Sequence, residues 1–230
     1  MVRNGLHGEH DEEPLAHRHP RQQQDDGKGD WTVLIAMAGL PGSGKSRLAA
    51  CLEERLGAVI LDKDQVRSSL FPLRVLEHSE MQDDITMAAI YRAAAAILQG
   101  NPEQAVILDG RTFLRPGQVQ SLLDLAASLG ETPRVIECVC DDAVAKERLE
   151  RDRVRRGHPA GNRTFALHQE LKAATVPITV SRLVLDTGLL SLDECVRRCL
   201  DYLGAADGKE VENIPTSRPY GSLTREGGRP

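Results

Sequence analysis

The residues from Gly39 to Ser46 place the strongest constraint on what this chain can fold into. Their sequence, GLPGSGKS, matches the pattern G-x-x-x-x-G-K-[ST] in full. In such a loop the backbone N–H groups cradle phosphates, and the following helix presents its positive N-terminal end to the same anion. We expect Lys45 to reach the β- and γ-phosphates and the Ser46 hydroxyl to ligate Mg²⁺. The loop therefore predicts a site for a nucleoside triphosphate, with ATP and Mg²⁺ as the expected ligands.

The residues on either side of the loop favour the same interpretation. An apolar run of strand length, Val33–Ala38, precedes the loop, and apolar residues recur after it at the spacing of a helix. A strand, a Gly-rich loop and a helix form the context that the motif requires. Together with the neighbouring Arg47, the predicted nucleotide-binding residues are Gly39, Leu40, Pro41, Gly42, Ser43, Gly44, Lys45 and Ser46.

Composition divides the 230-residue chain into a folded domain and two tails. Residues 1–30 and 205–230 are rich in charge but poor in apolar residues, so they cannot offset the entropy cost of folding. We therefore expect disordered tails on either side of a domain at residues 31–204. The net charge of −5 argues against a nucleic-acid-binding surface, and no apolar run is long enough to span a membrane. The polar N-terminus and the cysteine pattern favour a cytoplasmic protein.

Short apolar runs alternate with helical patterns along the predicted domain. Beyond the first strand, the runs are Ala58–Leu61, Ala105–Leu108, Arg134–Cys140 and Arg182–Leu185. Helical patterns cover about 44–56, 64–70, 79–99, 116–129, 142–156, 162–174 and 191–203. This alternation predicts an α/β fold with a parallel sheet and helices on both faces. Ligands bind such sheets beyond the carboxyl ends of the strands, where Asp62, Asp109 and Asp186 follow three of the runs.

The stretch after the second strand predicts a site for a phosphoryl acceptor. A hydroxyl that attacks phosphorus needs a carboxylate to orient it and to accept its proton. We assign that role to Asp64, whose alternative role is to cap the helix that begins there. Arg67 lies one helical turn further along the same face, where its guanidinium could bind an anionic or polyhydroxylated acceptor. Asp62 would lie near the metal or only end the strand.

The third strand ends at Asp109, in the position of an acidic metal ligand of P-loop proteins. The carboxylate of Asp109 is expected to hold Mg²⁺ directly or through water. Arg111 and Arg115 follow on the connecting loop and are candidate substrate contacts, although solvated side chains are an equal alternative. The acceptor pocket is expected from residues around 67–92 and 111–120.

Five arginines lie close together before a stretch that contains glycine and proline. Arg148, Arg151 and Arg155 share one helical face, and residues 157–161 then break the helix. Such a segment suits a lid that closes over the γ-phosphate, with Arg151 and Arg155 as the predicted contacts. The alternative is a charged surface helix, since acidic residues interleave. After the last strand, Asp186 and Thr187 are predicted to lie against the nucleotide base.

Taken together, these motifs resemble the small P-loop kinases of the polynucleotide-kinase, zeta-toxin, gluconate-kinase and chloramphenicol-phosphotransferase group. The resemblance covers about residues 33–203. It implies a three-layer P-loop NTPase fold with a five-stranded parallel sheet in the order 2-3-1-4-5. It also implies that Asp64 is the general base and that Arg67 contacts the substrate.

The favoured function is an ATP-dependent kinase that phosphorylates a hydroxyl of a small polar metabolite, with Lys45, Asp64 and Arg151 as catalytic residues. A 5′-hydroxyl polynucleotide kinase is an alternative, against which the acidic net charge and few aromatic residues argue. A nucleotide-dependent regulatory ATPase is the alternative from another class. It would leave the pair of Asp64 and Arg67 unexplained.

Overall fold

The computed structural model describes residues 33–154 and 163–204. Five strands form the sheet: β1 Val33–Ala38, β2 Val59–Asp62, β3 Ala105–Asp109, β4 Arg134–Val139 and β5 Arg182–Asp186. The helices of the described residues are α1 Lys45–Leu56, α2 Lys63–Leu70, α3 Glu80–Gly100, α4 Pro116–Leu129, α5 Asp142–Val154, α6 Phe165–Ala173 and α7 Leu192–Gly204. A short 3-10 helix covers Leu73–Val75. The two predicted tails, most of the predicted lid and Arg155 lie outside the described residues.

The sheet is parallel throughout and has the strand order β2-β3-β1-β4-β5, which confirms the predicted order. β1 is the central strand, so the loop that follows it opens in the middle of the carboxyl edge. The register sets Asp62 of β2 opposite Asp109 of β3. Two acidic residues that are far apart in the sequence therefore end side by side.

Helices cover both faces of the sheet, because successive strand residues point to opposite sides. On one face Leu34 and Ala36 of β1 pack with α3 and α4. On the other face Ile35 and Met37 of the same strand pack with α1 and α7. Both faces are apolar, which explains why the strands read as continuous apolar runs. Within the described residues, none of the helices is both long and apolar enough to cross a bilayer.

Candidate active site

The phosphate loop connects β1 to α1 through three glycines with positive φ, which are Gly39 at +127°, Gly42 at +82° and Gly44 at +86°. A Cβ on Gly39 would lie 2.2 Å from the backbone oxygen of Cys138, so no larger residue fits there. Gly44 is the N-cap of α1, and the first turn of α1 contains no acidic side chain. The positive end of the helix is therefore available to an anion held by the loop.

Lys45 lies buried inside this loop, with only 4% of its surface exposed. Its ammonium group donates a hydrogen bond of 2.9 Å to the backbone oxygen of Leu40. The pKa of Lys45 is lowered to about 8 by burial and, to a lesser extent, by the nearby Arg163, while Asp109 and Asp64 act in the opposite direction. A phosphate group close to the ammonium would favour its charged form.

The carboxylate of Asp109 lies at the end of β3 and is 3% exposed. Its Oδ1 has no hydrogen-bond partner among the described residues, although it is buried. Ser46 follows Lys45 in the first turn of α1, where the motif places a metal-binding hydroxyl. In residues 33–154 and 163–204, no three His, Cys, Asp or Glu side chains form a metal-binding group. Mg²⁺ is commonly bound by one or two carboxylates together with phosphate oxygens, and the carboxylate of Asp109 suits that kind of site.

Asp62, rather than Asp64, caps helix α2. The Oδ1 atom of Asp62 accepts hydrogen bonds of 2.7 Å from the Asp64 N–H and 2.9 Å from the Gln65 N–H. The helix begins at Lys63, one residue earlier than the sequence pattern predicts. The alternative role considered for Asp64 is thus filled by its neighbour, and the carboxylate of Asp64 is left for other contacts.

The carboxylate of Asp64 lies between two guanidinium groups and is only 7% exposed. Its Oδ1 is 3.5 Å from Nη1 of Arg67, and its Oδ2 is 3.8 Å from Nη2 of Arg163. The sequence reasoning did not single out Arg163. The signal was present, because Arg163 is the first arginine after the predicted Gly/Pro stretch and stands at the far end of the predicted lid.

Arg67 is almost completely buried and is held by its own chain. Its Nη1 donates a hydrogen bond of 2.9 Å to Nδ1 of His78. Burial and the charge of Arg67 lower the pKa of His78, which favours the neutral ring that can accept this bond. The other terminal nitrogen pairs with Asp83 of α3, which also binds the Lys63 ammonium at 3.2 Å. Arg67 therefore connects α2 to α3 as well as to Asp64.

Arg111 and Arg115 take different positions on the loop after β3. The guanidinium of Arg111 lies beside the hydroxyl of Tyr91, whose pKa is raised by burial and lowered in part by Arg111. Arg115 is about half exposed, and its Nη1 is 3.8 Å from a carboxylate oxygen of Glu80. The buried Phe113 between them has a φ of +55°, a strained conformation for a bulky side chain.

The predicted lid arginines on α5 separate into two environments. Arg148 reaches back to the phosphate loop and the β5 end, with hydrogen bonds of 2.9 Å to the Thr187 hydroxyl and 2.8 Å to the Thr187 backbone oxygen. Arg151 is about half exposed, and its Nη1 is 3.7 Å from Glu147 one turn earlier. Arg47 is likewise exposed, on α1.

The segment after β5 contacts the phosphate loop directly. The Thr187 hydroxyl donates a hydrogen bond of 2.7 Å to the backbone oxygen of Ser43. Asp186 makes a local turn instead, since its Oδ1 accepts from the N–H groups of Gly188 and Leu189 at 2.9 and 3.2 Å. Thr187 thus supports the loop from behind, a contact that the sequence reasoning did not anticipate.

His168 of α6 supports the loop from another side and was also missed. It is 2% exposed, and its Nδ1 lies 2.7 Å from the backbone oxygen of Pro41. Since that oxygen can only accept, Nδ1 carries the hydrogen. Its Nε2 lies 3.3 Å from Oδ1 of Asp142, which Lys172 also binds at 2.7 Å. No motif contains His168, so only the tertiary structure reveals this contact.

Comparison with known proteins agrees with this site. The AAA domain family AAA_33 matches residues 34–177, more than half of the chain. The adenylyl-sulfate kinase of Klebsiella pneumoniae is 41% identical over 69 residues, which are 27% of this chain and 34% of that kinase. The chain thus spans about a third of the length of the curated relative that it matches.

Solved structures of small kinases share the fold. A kinase-like protein from Chloroflexus aurantiacus, described as a putative kinase, superposes with a TM-score of 0.60 at 22% identity, over 74% of this chain and 98% of that one. A gluconokinase from Sinorhizobium meliloti gives 0.55 at 19% identity, over 75% and 91%. The APS kinase of Mycobacterium tuberculosis, solved with AMPPNP and APS, gives 0.53 at 20%, over 75% and 98%. The chain belongs to the AAA_33 family and is a kinase-like, nucleotide-binding P-loop protein.

Proposed function

We propose that the protein is an ATP-dependent kinase that transfers the γ-phosphoryl group of ATP to a hydroxyl of a small polar metabolite. The observation that carries the proposal is the position of Asp64. Its buried carboxylate is released from helix capping by Asp62 and lies in the same charged cluster as Lys45 and Asp109. In a regulatory nucleotide-binding protein, this carboxylate would serve only its ion pairs with Arg67 and Arg163.

The phosphate loop supplies the donor half of the proposed site. Its backbone N–H groups and the N-terminal end of α1 would bind the phosphates of ATP, and Lys45 would exchange its bond to Leu40 for one to a phosphate oxygen. Ser46 and the unpartnered Oδ1 of Asp109 are suited to hold Mg²⁺. The ion would supply positive charge next to the phosphoryl oxygens.

Asp64 and the residues around it supply the acceptor half. We assign to Asp64 the role of general base, in which it orients the acceptor hydroxyl and takes its proton. Arg67, which stands 3.5 Å away, fixes the orientation of this carboxylate and remains a candidate substrate contact. These groups are buried, and this favours a small acceptor that enters the pocket rather than a polymer that lies across the surface.

Cations from the region of the predicted lid would complete the site. Arg163 already stands within 3.8 Å of Asp64 and acts on Lys45, so it lies where the phosphoryl group would pass from donor to acceptor. Arg151 and Arg155 remain the proposed lid contacts with the nucleotide. Such cations stabilise the charge on phosphoryl oxygens in the transition state.

A coupled assay of ADP release tests the proposal. The protein would be given Mg·ATP together with a panel of hydroxylated metabolites and, separately, with a single-stranded oligonucleotide that has a 5′-hydroxyl end. We expect ADP release to rise with at least one metabolite and to stay at the background rate with the oligonucleotide. Stimulation by the oligonucleotide alone would point to a polynucleotide kinase instead.

A further inference from the structure

Four cationic side chains lie at or near Asp64, and in the described part of the chain Asp64 and a second carboxylate form ion pairs with three of them. The cations are Lys63, Arg67, Arg111 and Arg163, and the second carboxylate is that of Asp83. We call this set the cationic cluster. The side chains of Arg67, Lys63 and Arg163 are only 3%, 14% and 19% exposed. Water therefore does little to screen the repulsion between these cations.

The backbone brings Lys63 and Arg111 together. β2 and β3 are paired to their last residues, so Lys63 follows Asp62 directly beside Gly110, which follows Asp109. A Cβ on Gly110 would lie 2.9 Å from the Cβ of Lys63 and 3.1 Å from its backbone nitrogen. Gly110 permits this approach, and Arg111 is the next residue. The pKa of Lys63 is lowered to about 8, mainly by burial and by Arg67, with smaller contributions from Arg111 and Arg163.

Two buried polar atoms lie at Arg111, namely its own Nε and the hydroxyl of Tyr91. In the described part of the chain neither has a hydrogen-bond partner of good geometry, although the Arg111 guanidinium is near enough to the hydroxyl to lower the pKa of Tyr91 as a hydrogen-bond donor. Buried donors without a partner are costly unless a ligand completes them. Both groups can donate to the same oxyanion.

Lys63 follows β2, which β3 separates from β1 and from the phosphate loop that follows β1. Asp64 and Arg163 act electrostatically on both Lys45 and Lys63. Asp64 therefore lies near both lysines of the site. An anion bound by Lys63 and Arg111 would lie near Asp64, which acts on Lys63.

We propose that the acceptor carries an oxyanion, such as a carboxylate or a sulfate, besides the hydroxyl that is phosphorylated, and that Arg111, Lys63 and Tyr91 bind this group. The proposal rests on the proposed kinase function for the identity of the acceptor. The anion site itself follows from the cationic cluster. Binding the oxyanion there would hold the hydroxyl near Asp64 and would offset the repulsion among the buried cations.

Sulfate binding tests the anion site without turnover. The protein would first be saturated with Mg·AMPPNP to fill the donor half and then titrated with sodium sulfate in a calorimeter. We expect one sulfate per chain, with an affinity that falls by about tenfold or more in Arg111→Gln and by several-fold in Tyr91→Phe. Arg92→Gln, which changes an exposed arginine next to Tyr91 on α3, is the matched control and should bind as the wild type does. Equal affinity in wild type and Arg111→Gln, or no sulfate binding, would overturn the proposal.

Paired acceptors test the same inference during turnover. Gluconate and sorbitol, and likewise glycerate and glycerol, differ in having a carboxylate or a neutral alcohol at one end. We expect ADP release with acidic members only, and a KM for them that rises in Arg111→Gln. Equal phosphorylation of the neutral members would overturn the anion proposal but leave the kinase assignment intact. Absence of any phosphorylation would count against the kinase assignment, while the sulfate titration would still decide the anion site.

Discussion

Burial at the carboxyl edge of the sheet changes the pKa of individual side chains. Lys63 is the clearest case, because its ammonium is buried next to Arg67 while its carboxylate partner, Asp83, is shared with that same arginine. Its pKa is lowered from 10.5 to about 8. The unfolded chain therefore binds more protons than the folded chain between these two values, and stability conferred by this group rises with pH there.

The pH dependence of stability should reveal this effect in a variant without the ammonium. Relative to Lys63→Met, the wild type should gain about 2 kcal/mol of unfolding free energy between about pH 7 and pH 10. Urea unfolding of both proteins across that range measures the difference. Lys146→Met is the control, because Lys146 is exposed and its ammonium contacts only the surface groups Glu150 and the ring of Phe165 in the described residues. If the difference in unfolding free energy between the wild type and Lys63→Met did not change with pH, this would contradict the lowered pKa of Lys63.

Gly39 is the residue at which the loop tolerates least change. Gly39→Ala should destabilise the fold by more than about 3 kcal/mol, because the new Cβ would meet the backbone of Cys138 as well as an unfavourable φ. Gly57→Ala is the matched control, since Gly57 also has a positive φ of +62° but has nothing within 4 Å of its Cβ position. That change should cost about 1–2 kcal/mol. Equal losses in urea unfolding would show that the close contact is not decisive.

At the level of whole elements, the phosphate loop is held in shape by segments that come later in the chain. Thr187 after β5 binds the oxygen of Ser43, Arg148 of α5 binds Thr187, and His168 of α6 binds the oxygen of Pro41. These bonds fix carbonyl groups of the loop rather than its N–H groups. The conformation of the phosphate loop therefore depends on α5, β5 and α6 as well as on its own glycines.

The contribution of α6 can be measured through nucleotide affinity. His168→Leu should weaken the binding of Mg·ADP by about fivefold or more, because the buried oxygen of Pro41 loses its donor. Lys172→Met is the control, since it removes another partner of Asp142 but no contact with the loop. Calorimetric titration of both variants gives the comparison. Wild-type affinity in His168→Leu would exclude a positioning role for α6.

The elements were more predictable than their contacts. Periodicity indicated each of the five strands and the helices that follow them, because a sheet buried on both faces requires continuous apolar runs. The start of α2 was missed by one residue, because Asp62 and Asp64 are both capable N-caps and only the backbone geometry selects Asp62. The role of His168 was not predictable, since a single buried histidine carries no pattern in the sequence.

Across the whole molecule, the parallel sheet determines which distant residues form the site. Four segments of the site follow the carboxyl ends of strands, and because ligands bind parallel sheets at that edge, the sequence predicts that these segments meet there. They are the phosphate loop, the Asp62–Arg67 segment, the Asp109–Arg115 loop and the Thr187 segment. The position of the strand ends does not fix side-chain partners. The ion pairs of Arg67 with Asp83 and of Asp64 with Arg163 depend on how α2, α3 and the residues before α6 pack over that edge.

The central feature of the proposed site is that a donor half and an acceptor half meet at Asp64. Single-turnover transfer of radiolabelled γ-phosphate from ATP to an acceptor found in the screen tests it most directly in Asp64→Asn. We expect transfer to fall by at least about a hundredfold while Mg·AMPPNP binds as in the wild type, because the phosphate loop is untouched. Asp84→Asn, a change at an exposed neighbour of Asp83 on α3, should transfer phosphate normally. Wild-type transfer by Asp64→Asn would contradict the claim.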